Sequence, residues 1–262
     1  MDIQVLGPLS VRENGQSIAP TAAKPRKLLA LLAVHANRLV PVQALLEELW
    51  GDRPPRSAST TLQTYILHVR NLIAATGRDP KRVLTTVPGG YLLDTAGGSV
   101  DVVEFERLAA AGHRALESDE PARASSLFAE ALDLWRGPGL DDVAVGELPG
   151  VEARRLDEVR LGVQERRIEA DLRLGRHHML ISELSALVAR NSRHEGLHAQ
   201  YMIALYRSGR QGEALAAYQR LRAGQVRDLG LEPSPALRSL QRSILMSDPA
   251  LGAPVPAYSQ AV

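Results

Sequence analysis

The chain has 262 residues, 45% of them apolar, and no cysteine. That length and apolar content are enough for two packed domains and argue against global disorder; the lack of cysteine excludes disulfides and thiolate metal sites. Its net charge of +1 hides an asymmetry: residues 1–100 carry 11 Lys and Arg against 7 Asp and Glu, residues 101–262 carry 20 against 23, and every lysine lies at or before Lys81. A basic first part joined to an acidic second part suits a nucleic-acid-binding module followed by a protein-interaction module. No apolar run reaches the length of a membrane span, and Met1-Asp2-Ile3-Gln4-Val5-Leu6 lacks the basic start of a signal peptide, so a cytoplasmic protein without membrane partners is expected.

Taken in chain order, Ile3–Leu6 and Leu9–Arg12 predict two short strands around Gly7-Pro8. Asn14-Gly15 is a strong turn signal, with Gln16–Ile18 as the returning strand. A helix is expected from about Ala22 to His35, with Pro25 in its first turn, where the missing amide costs nothing. Pro41 opens the next helix in the same way, and Val42, Leu45, Leu46, Leu49 and Trp50 recur at helical spacing until Gly51 stops it. The loop Asp52-Arg53-Pro54-Pro55-Arg56 is stiff and polar. A third helix is expected from about Ala58 to Ala75, ended by Gly77 and Pro80. Strands Val83–Val87 and Tyr91–Asp94 then form a hairpin with Pro88-Gly89-Gly90 at its tip.

Helix, short loop, helix and hairpin in that order predict a winged helix-turn-helix that reads DNA. At about 100° per residue, Leu62, Ile66, Val69 and Ile73 of the third helix fall on one buried stripe. The opposite face carries Thr60, Thr64, Leu67 and Asn71, with His68 beside them; Gln63 and Arg70 flank one side, Thr61 and Tyr65 the other. Such a helix fits the major groove with its outward side chains at base edges. Threonine offers a hydroxyl and a methyl that can touch thymine, and His68 can donate to guanine or accept from adenine. Arg70 is aimed at a phosphate or an internal salt bridge. Leu67 suits a thymine methyl or a neighbouring protomer. The bland alternative is one solvated face of an ordinary amphipathic helix.

After a linker, Thr95-Ala96-Gly97-Gly98-Ser99, the chain is almost purely helical. Asp101 resembles an N-cap for a helix Val102–Leu116, and further helices are expected at about 121–135, 149–174, 177–190, 194–208, 211–228 and 234–245. Residues 247–262 are expected to be a mobile tail. Leu174-Gly175-Arg176 recurs as Ser208-Gly209-Arg210 after 34 residues, the period of tetratricopeptide repeats. The fold class is therefore mainly α with a small β component: an N-terminal winged helix-turn-helix (1–95), a linker (96–100) and a C-terminal all-α tetratricopeptide-like domain (101–246).

No catalytic set is assembled, so neither an enzyme nor a cofactor is expected. Asp141-Asp142 reads as a solvated loop. His194 and His198 have metal-ligand spacing but no third ligand nearby in sequence, and a surface helix is favoured over a metal site. Arg154-Arg155 and Arg166-Arg167 are balanced by nearby carboxylates and read as intrahelical pairs.

The segments Lys24-Pro25-Arg26-Lys27-Leu28-Leu29-Ala30-Leu31-Leu32, Leu49-Trp50-Gly51, Thr61-Leu62-Gln63-Thr64-Tyr65 and Thr85-Thr86-Val87-Pro88-Gly89-Gly90-Tyr91, with Asp101-Val102-Val103-Glu104-Phe105 and Gly230-Leu231-Glu232-Pro233-Ser234-Pro235, resemble together the Streptomyces antibiotic regulatory protein (SARP) family. The resemblance implies a transcriptional activator of a secondary-metabolite gene cluster. It would join an OmpR-type winged helix to a bacterial transcriptional activation domain, and bind direct repeats near promoters. It also implies that Thr64 and His68 face bases and that Thr60, Thr61 and Arg70 meet phosphate. Thr85, Thr86, Gly89 and Gly90 would reach the minor groove, and Lys24, Arg26 and Lys27 would add backbone contacts. The loop with Asp52, Arg53 and Arg56, or else the wing, would touch RNA polymerase holoenzyme, and the helical domain would supply dimer contacts, polymerase contacts or both, with protomers paired or in tandem on double-stranded DNA. The run His68-Val69-Arg70-Asn71 is less basic than such a helix leads one to expect. With the winged helix at the start, no phospho-receiver is expected, and with no Gly-x-x-x-x-Gly-Lys-Ser/Thr motif, no ATPase module of larger relatives is expected either. Two competing readings are a helical-repeat interaction module without DNA binding and a regulator whose repeat groove holds a ligand.

Overall fold

Turn chemistry sets the first sheet. The computed structural model describes residues 1–95, 98–140, 142–143 and 151–252. Strands β1 (Asp2–Gln4), β2 (Ser10–Glu13) and β3 (Gln16–Ser17) form an antiparallel meander with Ile3 opposite Val11. Asn14 (φ 49°) and Gly15 (φ 81°) supply the two left-handed residues that the tight hairpin needs. Strand β7 (Ser99–Val100) adds to β1 in parallel, giving the order β3-β2-β1-β7. The stretch expected as a plain linker thus contributes a strand; residues 96 and 97 lie outside the described residues.

Helix α1 (Ala23–Val34) is buried along its whole length from Lys27 onward, as an unbroken apolar run from Leu28 to Val34 requires. Strand β4 (Leu39–Pro41) follows, then α2 (Val42–Trp50), α3 (Ala58–Ala74), α4 (Pro80–Val83), β5 (Leu84–Val87) and β6 (Gly90–Leu93). β4 and α4 were not expected: three and four residues are too few to show a period. Asp79 starts α4 by accepting from the Lys81 amide at 2.9 Å. The second sheet has the order β4-β6-β5, with Val40 opposite Tyr91 and Thr86 opposite Tyr91 on the other side. Leu28, Leu32, Leu45, Leu62, Leu84 and Leu93 are almost wholly buried and form the heart of this winged helix.

Gly89 (φ 84°) takes the left-handed third position of the turn after Pro88. Gly90 is a glycine for a different reason: a Cβ there would stand 2.2 Å from the Val40 carbonyl oxygen. Gly90→Ala must push β4 off β6, at a cost of about 1–3 kcal/mol. A urea melt of the variant that matched the parent would show that the two strands separate freely.

By packing, the chain divides into two units, residues 1–110 with 130–161, and residues 111–129 with 162–262. In the first unit, α5 (Asp101–Glu117) begins where β7 ends. The Asp101 carboxylate, expected as a helix cap, accepts instead from the Val5 amide at 2.8 Å and the Leu6 amide at 3.0 Å. Residues after α6 (Pro121–Asp133) return to the same strands. The Arg136 amide donates to the Leu6 carbonyl at 2.8 Å, and its guanidinium donates to the Pro8 carbonyl at 2.9 Å. Trp135 packs edge-on to Phe105 at 5.5 Å under the Arg160 guanidinium. Asp142, expected in a solvated loop, accepts from the Leu9 amide at 2.7 Å and pairs with Arg26; Asp141 lies outside the described residues.

α7 (Val151–Arg173) starts in the first unit and ends in the second, which continues through α8 (His177–Arg190), α9 (Glu195–Arg207), α10 (Gln211–Leu229) and α11 (Pro235–Leu245). Residues 149 and 150, expected in α7, lie outside the described residues. Gly175 and Gly209 both have φ 75°. In each turn the glycine amide bonds back three residues and the following arginine amide five, from Arg176 to Asp171 and from Arg210 to Leu205, both at 2.9 Å. That is a Schellman close. The same bonds close α5 at Asp119 (φ 55°) and α11 at Ser247 (φ 52°); the first of these leads into α6, so the helical hairpin recurs once beyond the two glycine copies. The expected tail is ordered in its first part: Pro249–Leu251 forms a 3-10 turn whose Leu251 carbonyl accepts from Arg207 at 3.0 Å. Residues 253–262 lie outside the described residues.

Arg166 makes the expected intrahelical pair, with Glu169 at 2.7 Å. Arg167 also reaches out of its helix, to Glu183 of α8. Ser125 and Asp171 are buried polar groups that satisfy one another at 2.8 Å, joined by Arg176 at 2.9 Å. No helix among the described residues is long and apolar enough to cross a membrane.

Candidate nucleic-acid interface

Helix α3 presents the two faces that its apolar period predicts. Ala58, Leu62, Ile66, Val69 and Ile73 are buried, while Thr60, Gln63, Thr64, Leu67, His68 and Asn71 are exposed. Leu67, at 58% exposure, is an apolar side chain held out among polar ones. The Thr64 hydroxyl donates back to the Thr60 carbonyl at 3.2 Å. Its proton is thereby turned along the helix, and the face it offers outward is a lone pair and a methyl. That combination suits an amino group of adenine or cytosine beside a thymine methyl. Thr61 and Tyr65 are half-buried on the flank. Tyr65 stacks on Trp50 of α2 at 6.1 Å with an 11° interplanar angle, and the Lys24 ammonium sits 4.7 Å above that indole.

The remaining expected contacts divide by what they already bind. Arg70 is half-buried: its Nε and Nη2 donate to the Leu84 carbonyl at 3.0 and 2.6 Å, and Nη2 donates to the Thr86 hydroxyl at 2.9 Å. It braces the helix against the hairpin, an internal use but with backbone and hydroxyl rather than a salt bridge. Arg26 donates to the Leu9 carbonyl at 2.7 Å and pairs with Asp142. Lys27 is buried, with its ammonium on the Glu48 carbonyl and 3.7 Å from the Glu48 carboxylate. Gly90 is buried against β4. Arg26, Lys27, Arg70 and Gly90 were expected at the DNA, and the fold employs all four. Thr85 is half-buried, its hydroxyl donating to the Lys81 carbonyl at 3.0 Å. Thr86 and Gly89 are exposed on the wing, where the Gly89 carbonyl accepts from the Val42 amide at 3.0 Å.

Two further exposed cations lie beside the wing. Lys81 and Arg82 stand on α4 immediately before the wing. The adjacent basic pair is visible in the sequence, but Gly77 and Pro80 mark the segment as a break and hide the short helix that holds it. Asp52, Arg53 and Arg56, in the loop between α2 and α3, are all exposed.

A solvent-facing polar helix side beside a two-stranded wing, carried on a chain of stacked helical hairpins, defines a winged-helix DNA-binding transcriptional regulator. Residues 15–93 match the family described as "Transcriptional regulatory protein, C terminal", and residues 100–245 match "Bacterial transcriptional activator domain". The chain is 53% identical to Regulatory protein DnrI of Streptomyces peucetius over 98% of this chain and 97% of that one. It is 36% identical to Transcriptional regulator RedD of Streptomyces coelicolor, over 97% of this chain and 73% of that one. Among solved structures, Mycobacterium tuberculosis EmbR in complex with a low affinity phosphopeptide superposes with a TM-score of 0.85 at 34% identity, covering 98% of this chain and 67% of that one. The chain belongs to the SARP family of transcriptional activators.

Proposed function

We propose that this protein switches on the promoters of an antibiotic biosynthetic gene cluster by binding direct repeats with α3 and recruiting RNA polymerase. The observation that carries the reading is the exposed row Thr60, Thr64, His68 and Asn71, opposite a fully buried stripe of the same helix. Thr64 and His68 read base edges; Gln63 and Leu67 border them. Thr60 and Thr61, at the start of α3, meet phosphate. The wing residues Thr86 and Gly89, with Lys81 and Arg82 behind them, follow the flanking backbone. Lys24, stacked on Trp50, adds one more cation near the duplex. Protomers stand side by side on tandem repeats. Resemblance to DnrI and RedD supports the antibiotic-cluster assignment.

Footprinting on the promoters of its own gene neighbourhood tests the reading, with protection expected over short repeats beside a −35 element. His68→Ala and Thr64→Ala are each expected to reduce discrimination between correct and altered sites by about 1–3 kcal/mol. An unchanged site preference in both variants would place base reading elsewhere. Failure to protect any promoter, with or without polymerase, would select the interaction-module reading instead.

The exposed loop carrying Asp52, Arg53 and Arg56 is assigned to polymerase. Asp52→Arg or Arg53→Glu should cut activated transcription in vitro while DNA affinity, measured by gel shift, stays at the parent level. Equal loss of both would count against recruitment through this loop.

A further inference from the structure

The second unit contains a cleft of about 570 Å³ floored by α9 and walled by α8 and α10. This is within the usual volume of a small-molecule site. At its base lies His198, 6% exposed, and neither ring nitrogen has a hydrogen-bond partner. Buried polar atoms are ordinarily satisfied; the Ser192 backbone acts on the ring, but neither nitrogen makes a hydrogen bond of full geometry. Burial pushes the imidazole below its usual pKa, against the pull of that backbone, so the ring is neutral near pH 7 and offers one donor and one acceptor.

The charge around the cleft is uneven. Asp228 is occupied by Arg193 at 3.2 Å and Arg227 at 2.8 Å. Arg220, which lines the same cleft, forms no ion pair among the described residues. Val188, Ala217 and Leu221 give the lining its apolar part, and Ser185, Ser192 and Tyr201 add polar groups. Gly224 lies in the interior of α10 at the cleft wall, and a Cβ there would meet nothing within 4 Å. Glycine weakens a helix interior relative to alanine. No neighbour requires it here, and its effect is to leave the cleft open.

We propose that this cleft binds a small organic anion with an apolar body, an aromatic carboxylate in chemical class, its charge on Arg220 and its apolar body over the buried His198 ring. The cleft lies between the second helices of successive hairpins, α8 and α10. The assignment is independent of whether α3 reads DNA.

The test uses the full chain with isotope-labelled histidine and follows the His198 ring signals by NMR. The probes are 1-naphthoate, its neutral isostere 1-naphthamide, and inorganic phosphate. Naphthoate is expected to give a saturable shift with a dissociation constant on the order of 1 mM, typical of a fragment of that size. The amide, and naphthoate on Arg220→Gln, should bind at least ~10-fold more weakly, the worth of a charge-assisted hydrogen bond. Gly224→Leu should abolish the shift while the thermal melt shows the chain still folded. No saturable shift with naphthoate overturns the proposal, as does a shift that survives both substitutions. An equal response to phosphate alone would remove the apolar requirement and overturn it. A response to acidic peptides but not to naphthoate would do so as well.

Discussion

Arg70→Ala is expected to weaken binding to every DNA sequence while leaving the salt dependence of binding unchanged. A cation on a phosphate releases counterions when it binds, and its removal lowers the salt slope by about 1. Arg70 spends its guanidinium on the Leu84 carbonyl and the Thr86 hydroxyl, so the quantity it controls is the placement of the wing against α3. Losing that brace should cost about 1.5–3 kcal/mol of stability, the range for hydrogen bonds to a charged donor. On the proposed binding mode, affinity falls because wing and helix no longer reach the two grooves as one body. Lysine supplies the charge but not a planar fork that can serve two acceptors. Arg70→Lys should therefore melt nearly as early as Arg70→Ala. A lysine variant with parental affinity, or an alanine variant with a flattened slope, would return Arg70 to the phosphate.

The helix period of α3 was legible because four apolar residues recur at a spacing that nothing else in the segment imitates. The wing was legible from Pro88-Gly89-Gly90, although the two glycines serve different ends: Gly89 supplies a left-handed turn, and Gly90 clears a neighbouring strand. That neighbour, β4, was invisible, because three residues between two helices have no period. Gly175 and Gly209 revealed two hairpin turns, while Asp119 and Ser247 adopt the same left-handed geometry without a glycine to announce it. The fate of each cation was not legible at all. Arg26, Lys27 and Arg70 look like a basic surface in a linear chain. Only tertiary neighbours from as far away as Asp142 show that they are consumed inside it.

Asp101→Ala should be the most damaging single substitution in the first unit, costing about 3–5 kcal/mol in a urea melt if each stranded buried amide costs the usual penalty. One carboxylate oxygen, Oδ2, accepts from both Val5 and Leu6, and Oδ1 also accepts from Val5. Two buried donors on the chain leaving β1 therefore depend on one side chain, and Arg136 lies 3.9 Å away. Burial raises the Asp101 pKa above the ordinary carboxylate range, against the pull of those amides and of Arg136. The sign follows from proton linkage. A carboxyl whose folded pKa is raised binds its proton more tightly when folded, so its contribution is greatest below the unfolded value. That contribution declines as pH rises toward the folded value. Asp101→Asn places its carbonyl where Oδ2 stands and can still accept from both amides, but its amide group then faces the Val5 donor. Asparagine should consequently fall between the parent and alanine, and its stability should lack the decline with pH that Asp101 imposes across the acid range. If alanine and asparagine were equally damaging, the charge beside Arg136, and not acceptance from Val5 and Leu6, would be what holds α5 to the strands.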